Sequence, residues 1–307
     1  MEQKLFESIV EFPDPEAQER YASLIGLDEA KERLEKEAES ILRPDLLEEW
    51  SKKHHGKRLP ALDLLGRRPP LIIFAGDVGT GKTELSSTFG DCLARRTGIP
   101  VQLFSLSLRA RGAGFVGDMT KLITEALQVF RSKCPKAPTT GKKPTGAAIL
   151  LIDEADSLAQ SRELAQMHHE DRVGVNALIR GIDEIALAKL SCLIVMCSNR
   201  LDSMDPAVRR RAAATFEFKR PPLELRSKLL HSNLAGSGLS ESDLETIAKL
   251  LGDSTGRDYG YTYSDITQKF LPSLVLAAYP SAKITMKLAK DVVAKTPPTP
   301  PFKSEAD

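Results

Sequence analysis

The chain has 307 residues, 41% of them hydrophobic, and its formal net charge at pH 7 is +1. This length allows a full buried core and a division into a larger and a smaller domain. A charge so close to zero excludes a strong overall field toward nucleic acid or a membrane surface, although local basic segments remain. The 4 cysteines lack the spacing of a metal site, and neither a signal core nor a run of roughly 18–20 apolar residues is present. We therefore expect a cytoplasmic protein with reduced thiols.

The first strong motif along the chain is a glycine-rich loop of the Walker A type. It follows the apolar run 71–75, which suits a buried strand, and precedes residues 84–89, which can open a helix. A strand, such a loop and a helix N-terminus together surround an anion with backbone N–H groups and a helix dipole. Lys82 would reach the β- and γ-phosphates of ATP, and Thr83 would hold Mg²⁺. The predicted nucleotide-binding residues of this motif are Gly76, Asp77, Val78, Gly79, Thr80, Gly81, Lys82, Thr83 and Glu84.

Three segments separate this loop from the next motif. Residues 101–106 are predicted to form a strand, and residues from about 119 to 130 a helix. Residues 133–146 contain 3 prolines and 2 glycines, a composition that predicts a mobile surface loop.

The second nucleotide motif is of the Walker B type. The apolar run 147–152 is typical of a central parallel strand, and it ends in Asp153 and Glu154. Carboxylates at the C-terminal end of such a strand face the crevice in which α/β sheets bind ligands. Asp153 is predicted to hold Mg²⁺ through water, and Glu154 to orient and deprotonate the attacking water. The two motifs together predict hydrolysis of a nucleoside triphosphate.

The rest of the chain first continues the alternation of helices and strands and then becomes helical. A helix is predicted from about 173 to 185, with strands at 193–198 and 216–218. This alternation predicts an α/β fold with a doubly wound, mostly parallel sheet, followed by a small all-helical lid. The predicted division is a short N-terminal extension (1–20), a large α/β domain (21–221), the helical lid (222–295) and a disordered proline-rich tail (296–307).

These motifs, taken together from about Ile25 to about Val292, resemble the AAA+ ATPases, which are ring-forming P-loop remodelling machines. Residues 24–31 are similar to the segment that precedes the first family helix, and the resemblance implies that Gly26 and Leu27 contact the adenine. Residues 198–202 resemble the sensor-1 strand end. The resemblance therefore implies that Asn199 helps to position the attacking water, as a neutral amide can.

Residues 204–211 resemble the second region of homology of that family, in the triple-arginine form found in severing and endosomal-sorting members. In such proteins two of the arginines act on the ATP of the neighbouring subunit. The alignment assigns this role to Arg210 and Arg211, and a guanidinium beside the γ-phosphate stabilises transition-state charge. The resemblance therefore implies a homo-hexamer with arginine fingers acting in trans.

Two further segments resemble pore loops that grip a polypeptide. Residues 114–118 match the aromatic-hydrophobic-glycine loop, with Phe115, Val116 and Gly117 in its defining positions. An exposed aromatic ring flanked by glycines can grip a backbone without reading its sequence. The second pore loop corresponds to residues 161–172, which include His168 and His169. Adjacent histidines point apart, so a metal site is not expected there.

The extent of the chain and residues 263–272, which look like the sensor-2 helix, are similar to the pachytene-checkpoint-type ATPases. Those proteins unfold part of HORMA-domain proteins, and their bacterial relatives occur in anti-phage CBASS operons. Asp265 stands where that family commonly has an arginine, and we include it among the nucleotide-binding candidates. The resemblance implies a HORMA-domain substrate with a flexible end.

A second class of function stays open, an ATP-regulated nucleic-acid-binding module of the initiator or clamp-loader type. Its support is the basic segment 52–58 together with Arg67 and Arg68. The near-neutral charge and the aromatic pore loop argue against it. We therefore favour a protein remodeler over a nucleic-acid-binding module, and we expect no membrane partner.

Overall fold

The computed structural model describes residues 5–106, 118–137, 143–157, 169–202 and 204–301. The chain divides into two compact units. The large unit comprises Met1–Ser23, Glu29–Ala75 and Thr83–Glu217, and the lid unit comprises Leu24–Asp28, Gly76–Lys82 and Phe218–Asp307. The C-terminal boundary therefore falls after Glu217, and the lid unit includes the phosphate loop as well as the helical region.

The large unit is built on a six-stranded sheet with the order β1-β3-β4-β5-β2-β6. The strands are β1 (Ser8–Phe12), β2 (Leu71–Gly76), β3 (Val101–Leu106), β4 (Ala147–Ile152), β5 (Cys192–Ser198) and β6 (Ala214–Phe218). Parallel pairing joins β3 to β4, β4 to β5 and β5 to β2, whereas β1 runs antiparallel to β3. All residues of β4 and β5 are buried, as expected for strands covered on both faces. The predicted mostly parallel α/β sheet is confirmed.

Helices α1 to α8 accompany these strands. They are α1 (Pro15–Ser23), α2 (Asp28–Leu42), α3 (Pro44–His55), α4 (Ala61–Leu65), α5 (Lys82–Thr97), α6 (Asp118–Lys133), α7 (His169–Leu187) and α8 (Pro206–Arg209). Phe130 of α6 and Ile182 of α7 belong to one core cluster with Leu150 of β4 and Ile194 of β5. This packing fixes the strand ends that carry the nucleotide motifs. No helix within the described residues is long and apolar enough to cross a membrane.

The N-terminal segment is more than the short extension expected for residues 1–20. Residues Ser8–Phe12 form the edge strand β1, with Phe12 paired to Val101 of β3. Phe12 is buried, and a Cβ atom added at Gly90 of α5 would collide with its ring. The segment is therefore an integral part of the large unit. Only 5 residues long and largely exposed on one face, this strand gives a weak sequence signal.

The predicted surface loop at 133–146 is partly ordered within the described residues. Lys136 forms an isolated antiparallel bridge with Leu190, and the Ala137 N–H donates to the Lys189 carbonyl at 2.9 Å. These backbone bonds hold the start of the segment against the residues that precede β5. The prediction of a mobile loop is wrong for this part, and residues 138–142 lie outside the described structure.

The C-terminal part of the lid unit is helical. It contains α9 (Leu223–Leu234), α10 (Glu241–Leu250), a π-helical segment (Asp265–Phe270), α11 (Leu271–Ala278) and α12 (Met286–Lys295). Leu230, Ile247, Phe270 and Leu274 meet in its core. Helix α10 begins with a capping box, in which Ser240 and Asp243 each accept from the other's backbone N–H. A separate small core thus supports the lid.

The proline-rich tail is not disordered over its described part. The Tyr261 hydroxyl donates to the Thr296 carbonyl at 2.6 Å, and Pro298 is buried. Thr299 donates through its hydroxyl and its backbone N–H to the carboxylate of Asp265. The prediction of a frayed tail is therefore wrong for residues 296–301, because hydrogen bonds with side chains of the lid hold this segment in place. Residues 302–307 lie outside the described structure.

Candidate nucleotide site

The phosphate loop lies between β2 and α5, as its motif predicts. Gly79 and Gly81 have φ values of +77° and +98°, which side-chain-bearing residues rarely adopt. Thr80 is buried, and its hydroxyl donates to the Asp77 carbonyl at 2.7 Å, which closes the loop on itself. Val78 is 44% exposed. A loop of this conformation turns successive backbone N–H groups toward a common point and so suits an anion.

Lys82, the first residue of α5, is held inside this loop. Its ammonium group donates to the carbonyl oxygens of Gly76 at 2.7 Å and Asp77 at 2.8 Å, and the residue is only 6% exposed. A buried ammonium needs such partners, because an unpaired charge away from water is costly. The same position suits a lysine that binds the terminal phosphates of a nucleotide.

Thr83 and Asp153 meet although 70 residues separate them in sequence. The Thr83 hydroxyl donates to Asp153 Oδ2 at 3.0 Å. Both residues belong to the large unit, Thr83 at the start of α5 and Asp153 directly after β4. A hydroxyl and a carboxylate are oxygen donors of the kind that Mg²⁺ prefers. The pair predicted to hold Mg²⁺ is thus brought together, and its donor set fits that ion.

Glu154 follows in an unusual backbone conformation. Its φ is +54°, in the left-handed region, where a non-glycine residue costs about 1–3 kcal/mol. Its backbone N–H donates to Asp153 Oδ1 at 2.9 Å, which supports the turn. Strain of this kind clusters at active sites, because it fixes a side chain in a direction that a relaxed turn would not give. The conformation agrees with the predicted role of Glu154 as general base.

Asn199 follows β5, which lies between β2 and β4 in the sheet. The carboxyl end of β5 therefore lies between the ends of the two strands that lead into the nucleotide motifs. The Asn199 backbone N–H donates to Asp156 Oδ1 at 3.2 Å, three residues past Asp153. Asp156 was not among the predicted site residues, since no feature of the sequence alone points to this contact. This hydrogen bond connects the sensor-1 segment to the residues that follow the Walker B turn.

The two predicted arginine fingers differ in their surroundings. Arg210 is exposed and lines an open cavity of about 640 Å³, together with Arg33, Arg209 and Glu217. Arg211 instead binds Asp183 of α7 through two hydrogen bonds of 2.7 and 2.9 Å.

A third bond joins the Arg211 guanidinium to the Ala207 carbonyl at 2.9 Å. Both Asp183 oxygens are thus occupied by one guanidinium, and the hydrogen bond to Asp183 raises the pKa of Arg211 further. An arginine engaged in this way within its own chain does not present a free guanidinium to a neighbour. Arg211 is thus held by Asp183 within its own chain, whereas Arg210 is exposed, and the assignment of both arginines as fingers stays a prediction.

The segment predicted to contact adenine belongs to the lid unit. Gly26 has a φ of +79°, and a Cβ atom there would lie 2.6 Å from Leu225 and 2.9 Å from the Tyr263 hydroxyl. Leu27 lies 3.3 Å from the position of a Cβ atom at Gly81. Gly26 and Leu27 are thus close to the phosphate loop, as a base-binding segment must be.

Two carboxylates assigned to the nucleotide site have other partners. Glu84 binds the Arg20 guanidinium through bonds of 2.7 and 3.0 Å. Asp265 is 1% exposed and accepts from Lys269, Thr262 and Thr299. Burial alone would raise the pKa of Asp265, but the hydrogen bonds from Lys269 and Thr299 outweigh it and lower that pKa to about 2. Both carboxylates thus have partners within the chain, and their assignment to the nucleotide site stays a prediction.

One contact of the phosphate loop is absent from the sequence predictions. Arg220 donates to the Asp77 carboxylate at 2.7 Å and to the Gly260 carbonyl, and its guanidinium lies 5.1 Å from the centre of the Tyr259 ring. An acidic side chain in this loop is a signal that a cation lies nearby, but the sequence does not say which one.

The pore-loop residues cannot be placed in the same way. Phe115, Val116, Gly117 and His168 lie outside the described residues, and His169 begins α7 with a side chain that is not described. Their assignment stays a prediction.

The basic residues behind the nucleic-acid alternative are partly neutralised. Arg58 pairs with Glu48 and Asp63, and Arg68 pairs with Glu37. Lys52 and Lys53 are exposed at the end of α3, and Lys57 is exposed just after it. Paired arginines have less charge to offer to a phosphate backbone, so the structure weakens this alternative.

Comparison with known proteins decides the family. A sequence profile described as "ATPase family associated with various cellular activities (AAA)" matches residues 72–220. CD-NTase-associated protein 6 of Escherichia coli (strain MS 115-1) is 51% identical over 299 residues, which are 97% of this chain and 96% of the relative. The chain belongs to the AAA ATPase family.

Solved structures agree with this assignment. A chain in the structure of the E. coli MS115-1 HORMA:CdnC:Trip13 complex matches this AAA ATPase with a TM-score of 0.90 and 49% identity, over 99% of both chains. The structure of Rhizobiales Trip13 matches with a TM-score of 0.74 and 39% identity, over 96% of this chain and 100% of that one. The predicted resemblance to this group of AAA+ ATPases is confirmed.

Proposed function

We propose that this AAA ATPase hydrolyses ATP in a ring and uses the energy to remodel a HORMA-domain protein. The observation that carries the proposal is the match, over nearly the full length of both chains, to a chain in a HORMA:CdnC:Trip13 complex. CD-NTase-associated protein 6 is 51% identical to this chain, and its name states an association with a CD-NTase. This relative supports the proposal that the protein acts in an antiviral system of the CBASS type.

The residues of the site supply the steps of hydrolysis. Backbone N–H groups of the phosphate loop and Lys82 bind the phosphates, and Thr83 and Asp153 would hold Mg²⁺. Bound Mg²⁺ neutralises the charge that develops on the phosphate oxygens. Glu154 accepts a proton from the attacking water, and Asn199 orients that water. Cleavage leaves ADP and phosphate.

In this proposal each nucleotide site is completed by a residue of the neighbouring subunit. Arg210 is exposed, and among the described residues it has no ion pair of the kind that joins Arg211 to Asp183. We assign it to the ATP of the neighbouring subunit, in a ring that the family resemblance makes a homo-hexamer. A guanidinium beside the γ-phosphate contributes orders of magnitude to the rate.

Work on the substrate is assigned to the pore loops. Phe115, Val116 and Gly117 would grip a flexible terminal segment of the HORMA protein, with His168 and His169 in the second loop. A terminus is the part of a folded domain that opens at the lowest free-energy cost, so pulling can begin there.

The test follows the folded state of a purified HORMA protein by hydrogen exchange during ATP hydrolysis. Wild-type protein should increase exchange in the HORMA core only when ATP is present and the terminal segment of the substrate is intact. Phe115→Ala should lower the amount of substrate remodelled per ATP hydrolysed. Equal remodelling of a substrate that lacks the segment would contradict threading.

The same preparation tests the alternative function. ATP hydrolysis should rise on addition of the HORMA protein and not on addition of single- or double-stranded DNA. Stimulation by DNA that falls steeply with salt would favour the nucleic-acid-binding module instead.

A further inference from the structure

The carboxylate of Asp265 is a four-bond junction inside the lid unit. Oδ1 accepts from Lys269 Nζ at 2.8 Å and from the Thr299 hydroxyl at 2.7 Å. Oδ2 accepts from the backbone N–H groups of Thr262 at 3.1 Å and Thr299 at 3.0 Å. The residue is 1% exposed, so these donors replace water completely. Asp265 therefore joins the C-terminal tail to the turn at residues 262–264.

That turn lies directly against the phosphate loop. The Ser264 N–H donates to the Gly79 carbonyl at 3.0 Å. A Cβ atom at Gly79 would lie 2.7 Å from the Thr262 hydroxyl and 2.9 Å from Ser264 Cβ. The Thr262 hydroxyl in turn accepts from the Asp265 N–H at 3.1 Å. A continuous series of contacts thus runs from Gly79 through Thr262 and Asp265 to Thr299.

The tail has a second anchor, and the helix that carries Asp265 is irregular. The Tyr261 hydroxyl donates to the Thr296 carbonyl at 2.6 Å, and the Val293 carbonyl lies 3.2 Å from the same hydroxyl oxygen. Residues 265–270 form a π-helical segment before α11 begins. π-Helical turns are rare and occur often at functional sites, because they aim side chains that a regular helix would direct elsewhere.

We propose that Asp265 is a positioning residue for the phosphate loop, and that the tail segment 296–299, by binding Asp265, raises the affinity for nucleotide. The inference rests on the proposed function in one respect, namely that this loop binds ATP. Residues 262–264 hold Gly79 in the conformation that directs the loop N–H groups inward. Loss of the Thr299 bonds lets the turn move, so a smaller fraction of the molecules has a competent loop, and the apparent affinity falls by that fraction.

The central variant is Thr299→Val, which keeps the shape of the side chain and removes its hydroxyl. It is made on the Glu154→Gln background, so that ATP is not consumed, and ATP binding in the presence of Mg²⁺ is measured by titration calorimetry. We expect the dissociation constant to rise about 3- to 10-fold, where tenfold corresponds to about 1.4 kcal/mol. Thr299→Ser retains a hydroxyl at this position, so its dissociation constant for ATP should equal that of the parent.

Two further variants keep the test decisive. Thr246→Val makes the same change on α10 of the lid, where the exposed hydroxyl donates to the Ser242 carbonyl within its own helix, and it should leave ATP binding unchanged. Lys269→Met removes one donor from Asp265 through a side chain that is 52% exposed, so the substitution leaves no cavity in the core. It should weaken ATP binding in the same direction as Thr299→Val.

The thermal midpoint of each variant separates positioning from mere stability. A lowered midpoint with a dissociation constant within twofold of the parent would overturn the inference and leave the Asp265 junction a purely structural feature. A parent that binds no ATP would overturn the proposed function as well. An effect of Thr246→Val equal to that of Thr299→Val would also overturn the inference, because it would show a general response of the lid.

Discussion

At the scale of single residues, the Walker B turn combines two separate tasks in adjacent carboxylates. Asp153 accepts from Thr83 and from the N–H of Glu154, so both of its oxygens are engaged. Glu154 has a φ of +54°. We therefore expect that the two acids are not interchangeable, with Asp153 shaping the site and Glu154 carrying the chemistry.

Replacement of Glu154 by Gln tests that division. The amide keeps the size of the side chain but cannot accept the proton of water, so ATP hydrolysis should fall by roughly 10²-fold or more. ATP binding should persist. Phosphate release and ATP binding are measured on the same preparation, with Lys82→Ala as the variant that loses binding instead. Hydrolysis at the wild-type rate would show that another residue is the base.

A second residue-scale prediction separates Arg210 from Arg211. Arg210→Ala should lower ATP hydrolysis by the assembled protein at least tenfold, because the guanidinium acts on transition-state charge. Arg211→Ala should have a smaller effect, and Asp183→Ala should reproduce it, since the two side chains form one ion pair. The pair is partly exposed, so its loss should change the stability of the fold by about 1 kcal/mol or less.

Steady-state ATPase rates of the three variants check this order. If Asp183→Ala is silent while Arg211→Ala abolishes hydrolysis, Arg211 leaves Asp183 in the ring and acts as a finger after all.

At the scale of elements, the edge strand β1 depends on one close contact. The Phe12 ring lies where a side chain at Gly90 of α5 would have to go. Helix α5 begins with Lys82 and Thr83, so the position of the phosphate-binding residues depends in part on how this helix packs.

Two glycine-to-alanine changes measure the contact. Gly90→Ala should destabilise the large unit by about 1–3 kcal/mol, the usual cost of overpacking. Gly174→Ala, in α7, is the matched control, because a Cβ atom there meets its nearest neighbour, Thr120 Oγ1, at an ordinary 3.6 Å. It should be neutral or stabilising, because alanine favours helix. Denaturant unfolding compares the two, and equal midpoints would contradict the importance of the Phe12 contact.

The elements that the sequence predicts well are those with a strong local signal. Strands β2, β4 and β5 are continuous apolar runs buried on both faces, and the loop 76–83 has a fixed spacing. The elements that it misses depend on distant partners. Thr299 meets Asp265 across 34 residues, and Arg211 meets Asp183 across 28. Neither local composition nor periodicity contains such pairings, so Asp265 and Arg211 were assigned by resemblance alone.

At the scale of the whole molecule, the proposed ring makes each ATP site depend on two subunits. Glu154 would come from one subunit and Arg210 from its neighbour, in a head-to-tail interface that closes into a ring. Defects in the two residues should therefore complement each other.

Mixing Arg210→Ala subunits with Glu154→Gln subunits tests this dependence. Neither variant alone should hydrolyse ATP efficiently, whereas a 1:1 mixture should recover activity at roughly a quarter of the interfaces, those that combine the two intact residues. ATPase rates over a mixing series, with mixed rings verified by mass, give the measurement. No recovery at any ratio would contradict action in trans.

The unequal distribution of aromatic residues gives each unit its own optical signal. The sequence has 1 tryptophan and 5 tyrosines. Trp50 belongs to the large unit and is 46% exposed, whereas the lid unit contains Tyr259, Tyr261, Tyr263 and Tyr279. Indole fluorescence therefore reports on the large unit alone, while most of the phenol signal comes from the lid. Non-coincident transitions of the two signals would reveal independent melting of the units in unlabelled protein.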